Sequence, residues 1–128
     1  MLKKIIIKPA KCAPAVGPYN HAVRIGNLLF CAGQIPLDPA TGKLIEGGIQ
    51  DQTRRVLQNL SAVLESAGSS LERVVKTTVF MTSLDDFKAM NEVYAEFFPA
   101  GPPARSTVQV ARLPAGAQIE IEVVAVAQ

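Results

Sequence analysis

The stretch QIEIEVVAVA, residues 118–127, decides the fold. In a strand, successive side chains point to opposite faces. Ile119, Ile121, Val123 and Ala125 then form one apolar face, suited to packing under helices, while Glu120 and Glu122 share the other with Val124 and Val126. The strand read over residues 74–82 has a similar mixed face in Lys76, Thr78, Phe80 and Thr82. Carboxylates beside valines and a phenylalanine on a helix-free face fit either a solvated face or contact with another subunit, and the second is preferred because the apolar patch would otherwise stand in water.

Working outward, residues 22–25, 28–32 and 106–110 are rich in Val, Ile, Thr and Phe and read as further strands, with Gly26-Asn27 as a tight hairpin turn. The opening MLKKIIIKPA reads as an edge strand, because three consecutive isoleucines are too few for a signal peptide or a membrane span. Helices are predicted over 49–67 and 84–98. In the first, Val56, Leu57, Leu60, Val63, Leu64 and Ala67 recur at spacings of three and four, and Gly68 supplies the C-terminal cap. In the second, Phe87, Met90, Val93, Tyr94, Phe97 and Phe98 make the stripe, Asp85 and Asp86 suit the first turn, and Pro99 stops the helix. Strands, helix, strand, helix, strands is the order of an α+β mixed sheet with both helices on one face. No glycine-rich phosphate loop joins a strand to a helix, which argues against a doubly wound nucleotide fold.

The 128 residues are read as one domain, 1–128, with no internal repeat or low-complexity tract. With 48% hydrophobic and 19% charged residues the chain belongs with folded globular proteins. The net charge of +2 is spread among 13 basic and 11 acidic residues without a basic stripe, so nucleic acid is not an expected partner, and no membrane contact is expected. Without an export signal the expected location is the cytoplasm, where Cys12 and Cys31 stay reduced. Two Cys and one His without ligand spacing predict no metal site.

Several segments carry a specific likeness. They are GPY at 17–19, GNLLFCAGQIPLDPATG at 26–42, VVKTTVFMTSLDDF at 74–87, NEVYAEFF at 91–98 and PARSTVQVARLPAGAQIEIEVVAV at 103–126. In this order they resemble the signature segments of the Rid (reactive intermediate deaminase) family, in its RidA-like branch, over nearly the whole chain. The resemblance implies a chorismate-mutase-like α+β fold and a homotrimer around a central barrel with clefts between subunits. It also implies cofactor-free hydrolysis of 2-iminobutanoate and 2-iminopropanoate to 2-keto acids and ammonia.

By the same resemblance Arg105 grips the substrate carboxylate, a task for which a planar guanidinium fork is suited. The bland alternative is an ordinary ion pair. Glu120 matches the glutamate near the attacking water, where a carboxylate can accept a proton; alternatively it merely alternates with core residues on a solvated strand face, the reading preferred for Glu122. Tyr19 matches a tyrosine that walls the cleft, or is a half-buried ring whose hydroxyl finds a partner. Gly33 stands where backbone approaches ligand, or where a bulge needs glycine. Asn91 lines the pocket or decorates a helix. Thr107, expected to contact substrate through its backbone, replaces the cysteine of many deaminases, and Ala32 replaces a serine. Both departures leave room for slower or redirected activity. Cys31 is read as packing, and His21 as a surface or turn residue.

Two other functions compete with the deaminase. One is a small-carboxylate (2-keto acid) binding or sensing trimer without catalysis, which Ala32 would allow. The other is a ribonuclease or translation inhibitor, for which one histidine and few aromatics give little support.

Overall fold

The computed structural model describes residues 2–128. Six strands form a single sheet: β1 (Ile5–Ile7), β2 (Ala22–Ile25), β3 (Leu28–Gln34), β4 (Val74–Met81), β5 (Ala104–Gln109) and β6 (Ile119–Val126), ordered β1-β2-β3-β6-β4-β5. Every neighbouring pair is antiparallel except β4 and β5, which run parallel. Helix α1 (Ile49–Ser66) connects β3 to β4 and helix α2 (Phe87–Phe97) connects β4 to β5. The α+β mixed sheet expected from the order of elements is therefore present, with β1 at one edge.

The alternation in β6 sorts the two faces. Ile119, Ile121 and Ala125 are fully buried and Val123 nearly so, packed with Val56, Leu57, Leu60, Val63 and Leu64 of α1. Each Ile, Leu or Val among them stabilises the fold by about 1.5–3 kcal/mol through its removal from water. Helix α1 ends as Gly68 allows: at φ 74° its N–H donates to Glu65 O, and the N–H of Ser69 reaches Leu64 O at 2.9 Å. These two bonds satisfy the carbonyls that a helix end otherwise leaves open. On the helix-free face Leu28, Phe30 and Val108 remain 40–46% exposed, beside Glu122 and Lys76.

Some boundaries differ from the sequence reading. Residues 84–86 form a 3₁₀ turn, capped by Ser83 Oγ accepting from Asp85 N, and the α-helix begins only at Phe87. Phe98 leaves the helix because the residue before a proline is pushed out of α geometry. Strand β5 lies two residues earlier at its start, since its pairing with β4 begins at Ala104 opposite Lys76. Strand β3 runs two residues past Ala32. Its ladder with β6 slips between Cys31, opposite Val123, and Gln34, opposite Ile121, so that one extra residue is accommodated as a β-bulge around Ala32 and Gly33.

Candidate active site

The bulge is the first element of the site. A Cβ at Gly33 would collide with Glu120 Oε2, so the Glu120 carboxylate lies directly over the Gly33 backbone. Gly33 is thus required for close approach rather than for an unusual φ. Around this contact is a cavity of about 400 Å³, walled by residues that include Tyr19, His21, Ala32, Gly33, Gln34, Pro114 and Glu120. Its floor loop is fastened from α1, where Asn59 Nδ2 donates to Leu37 O at 2.9 Å and to Ile35 O at 3.3 Å. Tyr19 leans over the loop with its hydroxyl oxygen 3.4 Å from Val16 N, which leaves the phenolic proton free to donate.

Burial among these apolar walls pushes the Glu120 carboxyl above its ordinary value, and the neighbouring charge of Glu122 adds to the rise. A carboxylate so placed is a stronger base than one in water. Gly33→Ala is expected to keep the fold, because the clash is with one side chain and no backbone, yet to lower kcat/KM for the imine hydrolysis implied by the resemblance by about 10- to 100-fold, since Glu120 must swing away from its Cγ outward and its carboxylate is misplaced. Steady-state kinetics beside a thermal melt checks both halves of this expectation.

Arg105 sits elsewhere. It pairs with Thr77 in the β4–β5 ladder, and Thr77 faces the helices, whereas Glu120 pairs with Phe80 and faces away from them. The two residues therefore occupy opposite faces of the sheet within one chain. The Arg105 guanidinium carbon lies 4.7 Å from the centroid of the Tyr94 ring and 5.5 Å from that of Phe87. Tyr94 is itself fixed by a 2.8 Å hydrogen bond between its hydroxyl and Thr77 Oγ1. Among the described residues the only ion pair joins Arg54 to Glu96, so no carboxylate occupies the Arg105 fork.

Asn91 and Thr107 fall with Arg105 on α2 and β5, not in the Glu120 cavity. Among the described residues, Asn91 Oδ1 and Thr107 Oγ1 are the two buried side-chain oxygens without a hydrogen-bond partner. An unmet buried polar atom costs about 1–3 kcal/mol, so such atoms mark places where a ligand or another surface supplies the missing bond.

The site residues are thus held as two halves: Tyr19, Gly33 and Glu120 around the cavity, and Arg105 on the aromatic shelf of α2, with Asn91 on that helix and Thr107 on the strand beside it. His21 departs from its expectation as a surface or turn residue. It is half-buried and lines the cavity, with ring nitrogens 2.7 Å from Ala13 O and 3.0 Å from Gln34 Nε2. Those partners lie 8 and 13 residues away, and no local pattern around Asn20-His21 announces them. Cys31 is buried as packing, and burial pushes its thiol up to about 12, which removes it as a nucleophile at neutral pH. Among the described residues no group of His, Cys, Asp and Glu could hold a metal ion, and no helix is long and apolar enough to cross a membrane.

The chain is similar to known proteins over almost its full length. A family model described as Endoribonuclease L-PSP matches residues 10–127. A RutC family protein of Pyrococcus horikoshii is 51% identical over 97% of this chain and 98% of its own. The human 2-iminobutanoate/2-iminopropanoate deaminase is 41% identical over 94% of this chain and 88% of its own. Among solved structures, Escherichia coli TdcF with bound serine superposes with a TM-score of 0.91 at 44% identity, covering 97% of this chain and 99% of that one.

Proposed function

The chain belongs to the Endoribonuclease L-PSP family, also called the Rid family, and from that membership we propose that it hydrolyses 2-imino acids to 2-keto acids and ammonia in clefts between the subunits of a homotrimer. The observation that carries the reading is the division of the site into two halves on opposite sheet faces. A half that offers a base and a half that offers a free guanidinium meet only if a second copy brings its Arg105 to the first copy's Glu120. The exposed Leu28, Phe30 and Val108 give the helix-free face the apolar character that such an assembly covers.

The chemistry follows from the groups. Arg105 binds both oxygens of the substrate carboxylate and orients the C=N carbon. Glu120 takes a proton from water as the water oxygen attacks that carbon, and returns the proton to nitrogen. The carbinolamine then collapses: its hydroxyl proton passes by way of Glu120 to the amino nitrogen, the C–N bond breaks to release ammonia, and the oxygen's electron pair forms the C=O bond of the keto acid. The Tyr19 hydroxyl donates to the substrate or to the entering water. Substrates as small as 2-iminobutanoate and 2-iminopropanoate fit the cavity. Its lining contains no Lys or Arg, which suits a small monoanion held by one distant arginine better than a polyanionic RNA backbone.

The test is ammonia or keto-acid release from imines generated in place by a dehydratase. Acceleration by the wild-type chain supports the reading; tight 2-ketobutyrate binding with no acceleration would replace it with a small-carboxylate binding protein. Glu120→Gln is expected to lower kcat by about 10²–10⁴-fold, the range for loss of a general base. The wild-type rate should rise with pH through a value above 4.5, since only the ionised carboxylate acts. For stability the sign is opposite: a carboxyl raised by folding holds its proton more tightly in the native state, so ionising it at higher pH costs stability. Glu120→Gln should therefore melt no lower than wild type at pH 7, and any gain should disappear below pH 4.5.

A further inference from the structure

His21 uses its polar atoms to tie one wall of the cavity to another. Its Nε2 faces Ala13 O, which can only accept, so that nitrogen carries a proton. Its Nδ1 faces the amide nitrogen of Gln34, which donates, so that nitrogen is bare. Its own backbone carbonyl accepts from Ala32 N at 2.9 Å. Gln34, only 8% exposed, is the first residue of β3 to regain pairing after the bulge. The ring also stands edge-on to Tyr19, with centroids 6.2 Å apart.

We propose that His21 is a positioning residue, a clamp that holds segment 13–19 against the bulge at 32–34 and so sets the shape of the cavity over Glu120. The inference rests on the reading of that cavity as the imine site. Ala13, Pro14, Val16 and Tyr19 line the cavity from one side, and Ala32, Gly33 and Gln34 from the other. Segment 13–19 lies outside the helices and strands, and within it one backbone–backbone bond, Tyr19 N to Gly17 O, is joined only by the long bond from Val16 N to the Tyr19 hydroxyl. A side chain that fastens such a segment counts for more than one on a strand already held by its ladder. Both ring nitrogens are engaged, so His21 acts through Tyr19 and the bulge and exchanges no proton with substrate.

His21 is the chain's single histidine, so selective ¹⁵N-histidine labelling gives one imidazole to read. The expected spectrum is that of a ring with its proton on Nε2 and a bare Nδ1, and it should shift when 2-ketobutyrate is added. His21→Ala is expected to raise KM about tenfold with a smaller change in kcat, and to speed amide exchange at Val16 and Tyr19, as loss of the two ring hydrogen bonds and the pre-organisation they give would. His21→Gln should restore KM to within about twofold, because its amide can donate to Ala13 O and accept from Gln34. A ring protonated at Nδ1, unchanged exchange and KM in His21→Ala, or a glutamine variant as impaired as the alanine would each overturn the clamp. If the wild type hydrolyses no imine, the functional reading fails, while the tautomer and the exchange rates still decide the clamp.

Discussion

Arg105→Ala is expected to lower kcat/KM for imine hydrolysis by about 10²–10³-fold while lowering the melting temperature by only a few degrees. Truncating one member of a desolvated, hydrogen-bonded charge pair costs about 2–5 kcal/mol of binding, and the substrate carboxylate is the partner that would be lost. Nothing comparable is lost from the fold. Arg105 has no carboxylate partner among the described residues, and its stacking on the buried Tyr94 and the exposed Phe87 contributes about 0.5–1 kcal/mol at each ring. Arg105→Lys should recover little activity. An ammonium keeps the charge but not the planar fork, and it stacks less well on the two rings. Steady-state rates with imine generated in place, together with calorimetric titration of 2-ketobutyrate, separate lost binding from lost catalysis. Equal kcat/KM for Arg105→Ala and wild type would remove Arg105 from the mechanism.

What the sequence makes legible here follows from the range of the interactions involved. The period of two in β6 and the three-four stripe of α1 are local patterns; the first predicts its buried face residue by residue, and the second finds the apolar part of its own, missing the buried Gln52, Thr53 and Asn59, whose side chains bond to loops or to the helix's own backbone. The bulge is not local. Ala32-Gly33 reads as the end of a strand, because a glycine in a strand weakens it, and only the renewed pairing of Gln34 with Ile121 shows the strand continuing. The start of β5 is likewise set by its parallel partner β4, a pairing that spans a whole helix. Segment likeness could name Arg105 and Glu120, and alternation could assign each to one side of its own strand. That the two sides are opposite emerges only when β4 pairs with both β5 and β6. The partners of His21 needed the loop to close before they met.

Because Arg105 and Glu120 face opposite ways, mixing two inactive variants should restore activity. In each cleft of the proposed homotrimer, one copy contributes the cavity with Glu120 and its neighbour contributes Arg105. A trimer that combines Arg105→Ala and Glu120→Gln chains then contains some clefts in which the first variant supplies an intact Glu120 and the second an intact Arg105. For equal amounts reassembled at random, about a quarter of the clefts are wild type at both positions, because a closed ring repeats one heterologous contact and the two halves are drawn independently. Against parents reduced at least about 100-fold, that recovery is at least about 25-fold. If a single chain instead completed its own site, every site would keep one lesion and the mixture would show only the average of its parents. Unfolding and refolding the two variants together, with each refolded alone as control, provides the measurement. Recovery that follows the product of the two chain fractions, with its maximum at equal amounts, is what a shared cleft requires, whereas activity that stays at the weighted average of the two parents across the titration would place both residues in one chain's site and end the inter-subunit reading.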